Sequence, residues 1–314
     1  MLTTATTTRP LYSYETILAA SERVTWRVED LIGGAKQLDF SRRFLPEALA
    51  GVEGFTFLTA RERLVLNQIR GHGYLYMFGL VEEFILPFVL DHARPELHGE
   101  SARTRAYLEF ASEEAKHIDL FRRFRDAFLL GFGHHLAVIG PAEDVARAVL
   151  AKHPLAVALL VLHIEWMTQK HWIEGARDDG ELDPLFKNLL KHHWMEEAQH
   201  AKLDELMVET LAARCQPEAI DGVIDDYLAI GGMFDAALAQ QVDFDLAAFE
   251  AATGRKLEGD ERERVRATQI QANRWTFIGS GMTHPRFVTA LERVSPAARD
   301  RIAAVAPAFA FAAA

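Results

Sequence analysis

Glu82, Glu114 and His117 stand 32 and 3 residues apart, and Glu165, Glu197 and His200 repeat those intervals at a constant offset of 83 residues. The surrounding text repeats as well, as Glu113-Glu114-Ala115-Lys116-His117 and Glu196-Glu197-Ala198-Gln199-His200. A Glu and a His three apart on a helix share one face, so each E-x-x-H can offer two ligand atoms to the same interior. One such pair alone usually belongs to a solvated face. Two at matched spacing, each preceded by a further Glu, make up the set from which a four-helix bundle builds a two-metal site.

The local setting of the leading carboxylates points the same way. Glu82 follows Tyr74-Leu75-Tyr76-Met77-Phe78-Gly79-Leu80-Val81, and Glu165 follows Ala158-Leu159-Leu160-Val161-Leu162-His163-Ile164. Carboxylates buried unpaired in runs this apolar would cost several kcal/mol each, so they require protons, partners or metal. Leu64, Gln68, Gly71, Leu75, Phe78, Glu82, Ile85 and Val89 follow the three-four spacing of an inward helix face, which favours Glu82 over Glu83, as does the repeat.

Neighbouring residues form an outer layer. Glu113 and Glu196 each precede a proposed ligand Glu, and either could accept a hydrogen bond from the non-metal nitrogen of the opposite histidine and so fix its tautomer. The other reading is an exposed charge, since consecutive helix residues point about 100° apart. His193 lies four residues before Glu197, where the first motif has Phe110. It is either a seventh ligand, to the metal of the second motif, or an ordinary core or surface histidine. His72, His163, His171 and His192 are less well phased and read as structural or outer residues.

These residues need helices to carry them, and the chain reads as helical nearly throughout. Residues 13 to 31 read as an amphipathic helix ended by Gly33-Gly34, followed by a connection to residue 59. Thr59 with Glu62 forms a capping-box signature for a first long helix over about 60 to 91. A second runs over about 100 to 130. A third starts at Pro154, a favoured first-turn residue, and a fourth opens at Asp183-Pro184 and continues to about 214. Shorter helices between prolines 217, 285 and 296 fill the last hundred residues, and no stretch carries strand and hairpin signals. The expected architecture is all-α: a four-helix core over 60–214, an N-terminal tail, helix and connection over 1–59, and a C-terminal helical extension over 215–314 packed on the core.

Composition narrows the classes. The formal net charge of −11 argues against nucleic acid and against an anionic membrane surface as partners. The single cysteine, Cys215, excludes an internal disulfide and a cysteine-built metal cluster, which suits a reducing cytoplasm. The opening Met1-Leu2-Thr3-Thr4-Ala5-Thr6-Thr7-Thr8 lacks the pattern of a signal peptide and reads as a frayed tail. Glu, His or Pro interrupts the apolar stretches before membrane-spanning length, so no membrane segment is expected.

The order E…E-x-x-H…E…E-x-x-H on four helices resembles the ferritin-like diiron-carboxylate superfamily over about residues 60 to 214, which implies a ferritin-like bundle. His193 resembles the additional histidine ligand of the p-aminobenzoate N-oxygenase group, arylamine oxygenases that convert aryl amines to nitro compounds. Four Glu ligands balance two divalent cations and leave neutral histidines to complete the coordination. Hard carboxylates with imidazole suit iron or manganese. The expectation is therefore two iron ions per chain, with manganese as the alternative, held by Glu82, Glu114, His117, Glu165, His193, Glu197 and His200.

The function expected is that of a diiron oxygenase or oxidase, with O2 as co-substrate, a small organic substrate open to N-oxygenation if an amine, an external electron donor and a homodimeric assembly. Phe78, Trp166 and Trp194 either keep the pocket dry or pack the core. Ferroxidase or iron storage needs little beyond the bundle, whereas this chain adds about a hundred residues. A ribonucleotide reductase subunit is disfavoured by Phe121, where a radical tyrosine would stand. A dinuclear hydrolase would use the same carboxylates to generate hydroxide. In the C-terminal third, Arg274-Trp275-Thr276-Phe277-Ile278-Gly279-Ser280-Gly281-Met282-Thr283-His284-Pro285 stands out, with His284 reading as a turn or channel residue.

Overall fold

Each helix of the core starts and stops on a local signal. In the computed structural model, which describes residues 12–311, helix α4 (Ala60–Ala93) is opened by the expected capping box. Glu62 N donates to Thr59 Oγ1 at 3.2 Å and Thr59 N donates to Glu62 Oε2 at 2.7 Å. Helix α5 (Ser101–Phe132) stops at Gly133, whose φ of +75° suits a left-handed cap that only glycine adopts cheaply. Helix α7 (Pro154–Lys170) has proline in its first turn and continues as a π-helical segment, His171–Ala176. Helix α8 (Pro184–Arg214) is capped by Asp183, whose Oδ1 accepts from Phe186 N at 2.6 Å.

α4 packs along α5 and α7 along α8. The 83-residue repeat is thus a repeat of helix pairs, each carrying one leading Glu and one E-x-x-H. The core is an all-α four-helix bundle with added N- and C-terminal helices. Among the described residues, extended pairing is limited to one isolated bridge between Arg43 and Leu182.

The remaining helices wrap this bundle. Helix α1 (Tyr14–Ser21) lies on α5 and α8, with the short α2 (Val28–Leu31) behind it. Helix α3 (Glu47–Ala50) sits in a connection pinned by buried amides of α4. Asn67 Oδ1 accepts from Phe44 N and Leu45 N, and Gln68 Nε2 donates to Phe40 O and Arg42 O. Helix α6 (Ala142–Leu150) packs on α4 in the long crossover. Helix α9 (Ile220–Thr253) covers α4 and α7, and α10 (Gly259–Arg274) returns along α9. A second π-helical segment, Trp275–Gly279, leads through α11 (Ser280–Met282), packed on α7, to α12 (Pro285–Val294) and α13 (Pro296–Val305).

Four expectations are corrected. Residues 13–31 form two short helices with an extended stretch between them, because Ser21 turns to the interior to bond Glu113 and the chain must follow. The C-terminal hundred residues do not hold only short helices: α9 has 34, as many as α4. Gln68 bonds the N-terminal connection rather than facing the bundle interior, and Gly71 lies between Phe44 of that connection and Phe186 of α8. Finally, the helix from Ala60 to Glu96 is long and apolar enough to span a membrane by length and composition, yet 72% of its most apolar window is buried inside this protein. It is the central helix of the bundle, covered by α5, α6 and α9. The opening threonine-rich segment lies outside the described residues.

Candidate metal centre

Burial separates the candidate ligands from their neighbours. Glu82 is 2% exposed, whereas Glu83 lies on the exposed face of α4. Glu114, His117, Glu165, His193, Glu197 and His200 are all buried. Two groups of ligand atoms fall within 4.8 Å of one another: Glu82, His117, His193 and Glu197, and Glu114, His117, Glu197 and His200.

Glu197 lies between the groups. Its Oε1 is 2.5 Å from His193 Nε2 and 3.2 Å from His117 Nδ1, while its Oε2 is 2.8 Å from His200 Nδ1. Glu114 spans the same gap from the other pair of helices, with Oε1 at 2.9 Å from His200 Nδ1 and Oε2 at 3.6 Å from His117 Nδ1. The two E-x-x-H carboxylates therefore straddle both histidines, as bridging ligands must. Glu165 approaches Glu197 and His200 electrostatically from α7 but joins neither tight group.

These atoms fit a pair of cations better than they fit one another. Both oxygens of Glu114, Oε2 of Glu165, Oε1 of Glu197 and Nδ1 of His117 are buried and make no hydrogen bond, although nitrogen and oxygen lie close. Lone pairs converging on shared points produce that pattern, and buried polar atoms left unsatisfied are otherwise costly. Charge makes the same argument. Burial, then the charge of Glu114, pushes the Glu82 carboxyl well above its usual range, and burial with Glu197 does so for Glu165. Burial opposes a charged imidazole at His117 and His200, but Glu197 and its neighbours outweigh it and raise both. Protons thus occupy the place of cationic charge, and a metal would displace them.

Of the two readings open for Glu113 and Glu196, both side chains turn inward. His117 Nε2 lies 2.8 Å from Glu196 Oε2, and His200 Nε2 lies 2.7 Å from Glu113 Oε2, so each Glu bonds the opposite motif's histidine and leaves Nδ1 facing the centre. The two arms end differently. Glu113 accepts from the Ser21 hydroxyl at 2.5 Å, whereas Glu196 is paired with the ammonium of Lys116, which also stands 4.1 Å over the Trp26 ring.

His193 enters the cluster, but on the other side from the one expected. It groups with Glu82 and His117, its ring 4.7 Å from that of His117, rather than with His200. The reason is the pairing of the helices. A residue four before the ligand Glu faces the opposite motif's histidine, so Phe110, the equivalent in the first motif, stacks on His200 at 4.0 Å.

Phe78 and Phe121 close over His193 edge-on at 5.2 and 4.9 Å. Trp166 instead stacks on His284, which caps α12, and Trp194 stacks on Trp172. His163 bonds Tyr227, His171 bonds Tyr74, and His192 bonds the Asn188 carbonyl on the surface. His72 is buried with neither nitrogen bonded.

One residue escaped the sequence reading. Asp204 is fully buried one turn beyond His200, with neither oxygen bonded, and burial drives its carboxyl well above the usual range. Extending the 83-residue offset from Phe121 would have led to it.

An all-α bundle closed around two carboxylate–histidine groups that share His117 and Glu197 defines the class: a helical protein whose buried side chains could hold two metal ions. No family model matches the chain, and no curated protein does. Among solved structures it is similar to a single-residue variant of an R2-like ligand-binding oxidase with an aerobically reconstituted Mn/Fe cofactor, at 13% identity and a TM-score of 0.44, over 85% of this chain and 93% of that one. A second variant of such an oxidase, with an Fe/Fe cofactor, matches at 13% identity and 0.44 over 84% and 92%. The likeness is remote, and the chemistry assigned to this chain comes from its own residues.

Proposed function

We propose that the protein is a non-haem diiron oxidoreductase that uses O2 to oxidise a small organic substrate. The observation that carries this reading is the placement of Glu197 and Glu114 between two histidine-bearing groups, with both Glu114 oxygens and Glu197 Oε1 buried and without a hydrogen bond. Glu82, His117 and His193 would hold one iron and Glu165 and His200 the other, with Glu114 and Glu197 shared. Two such ions supply electrons to dioxygen in pairs and so open oxidation chemistry that amino-acid side chains lack.

The chain's own residues prepare the place. Glu196 and Glu113 orient the imidazoles, and Phe78, Phe121 and Phe110 keep water from the rings they cover. Neutral donors at His193, His117 and His200 against four carboxylates balance two divalent ions, which suits iron and, by the same donor set, manganese. Amine nitrogen as the substrate atom rests on the resemblance of His193, a member of the cluster, to the additional histidine ligand of the p-aminobenzoate N-oxygenase group. An external electron donor returns the site to its reduced form, and the working assembly is a homodimer in the cytoplasm.

The test is anaerobic loading with ferrous iron, elemental analysis, and exposure to oxygen while the optical spectrum and the molecular size are followed. Two irons per chain, a transient absorbance and a particle of two chains are expected. A large hollow particle accumulating many irons per chain would replace this reading with iron storage.

A further inference from the structure

Resting on the diiron reading, we infer that the organic substrate reaches the site through a cavity between α3, the π-helical segment after α7 and the π-helical segment after α10, and that His171 and Leu49 divide this cavity from the metal cluster. The outer space opens to solvent, has a cavity volume of about 200 Å³ and is lined by Ala48, Lys170, Glu174, Trp275, Ser280 and Phe311, together with Leu49 and His171. An inner space of about 10 Å³, room for about one water until a wall residue moves, is lined by Tyr74, Thr168, Trp172, Leu190 and His193, and again by Leu49 and His171. The two spaces share those two side chains, and the inner one ends on His193, a member of the metal group.

His171 is held in place on both ring nitrogens. Nδ1 lies 3.0 Å from the Tyr74 hydroxyl and Nε2 lies 3.1 Å from Ser280 Oγ, which in turn donates to the Thr276 carbonyl. The ring therefore stands across the passage, tied to α4 on one side and to α11 on the other, by bonds that a polar group of an entering molecule could replace. Its position on a π-helical turn follows a wider pattern, since such turns frequently occur at functional sites. The opposite wall carries a second π-helical turn, at Trp275.

The lining selects by shape and polarity. Trp275 and Phe311 offer flat apolar faces, and the Lys170–Glu174 ion pair, 2.6 Å apart, supplies both signs of charge at the outer end. The inner space is apolar apart from Tyr74, Thr168 and the two histidines. A flat molecule of one ring with a polar group at one end matches the lining of both parts. A second cleft, lined only by apolar side chains such as Met77, Val81, Leu160 and Phe234, ends on Phe78, whose ring packs on His193, and offers a polar group nothing to bond.

The experiment uses the iron-loaded, oxidised protein and two probes that colour on binding iron: azide, which is linear and thin, and 4-nitrocatechol, a single ring. Ala48 is exposed at the rim, so Ala48→Trp narrows the mouth without entering the core, and Leu49→Ala widens the shared wall. Ala48→Trp should slow appearance of the catecholate band at least tenfold while azide binding stays within twofold of wild type, and Leu49→Ala should speed the catechol. The retained azide band shows that each variant is folded and loaded. Catechol binding unchanged in both variants but slowed by Leu160→Trp would overturn the route in favour of the apolar cleft. Absence of any azide band in the wild type would remove the diiron reading, and the route with it.

Discussion

Glu197 on α8 places its Oε1 3.2 Å from Nδ1 of His117 on α5, so the carboxylate of one motif reaches the histidine of the other. Its second oxygen stays on its own motif, 2.8 Å from His200. That double reach makes Glu197 the residue whose loss should be felt by both metal positions at once.

Glu197→Ala should therefore reduce metal content from two ions per chain to one or none after anaerobic loading, and Glu114→Ala should act similarly. Glu83→Ala, on the exposed face one residue from Glu82, should leave two. Elemental analysis of the three proteins checks this, and two tightly held ions in the Glu197 variant would show that the carboxylate does not bridge.

His193→Ala should leave the bundle folded, since one imidazole contributes little to a core of this size. Grouped with Glu82 and His117, it should weaken only the metal step assigned to that side and alter the oxygen reaction. Cobalt titration of the apoprotein gives the first readout and rapid mixing of the reduced iron protein with oxygen the second. Both unchanged from wild type would make His193 an ordinary core histidine.

The two outer carboxylates should not be equivalent. Loss of a carboxylate behind a metal-bound histidine costs about 10–100-fold in affinity, so Glu113→Gln and Glu196→Gln should each weaken one step of the titration by about that factor. Glu196→Gln should do more, because it also leaves the Lys116 ammonium beside His117 without its counter-charge. Equal effects from both would mean that Lys116 is only a surface charge.

Buried neutral histidines away from the cluster set the acid limit of stability. Burial lowers His72 from 6.5 to about 3, and its ring packs 5.1 Å from Phe128. A depressed folded value means that the unfolded chain binds the proton more readily, so this group's contribution is full above pH 6.5 and declines as pH falls toward 3. The loss is about 1.4 kcal/mol for each pH unit inside that window. His72→Phe should remove it, so that the variant gains on the wild type in denaturant titrations as pH drops from 6.5 to 4.5. Parallel stability curves across that range would show that His72 carries no such penalty.

The sequence by itself determined the helices and which ligand types they carry. Caps at Thr59 and Asp183 act through bonds within one turn, Pro154 acts through its fixed backbone angle in the first turn, and a Glu three residues before a His shares its face whatever lies opposite. The 83-residue repeat then doubled a local pattern into a site for two ions. The tertiary structure decided what depends on neighbours. Because α4 is buried around nearly its whole circumference over residues 65–78, spacing alone could not assign Gln68 to the right side. The side of the cluster that His193 joins, the inward turn of Glu113 and Glu196, and the placement of His171 across a cavity all depend on how one helix pair is set against the other. That setting is fixed by long-range packing and leaves no period in the chain.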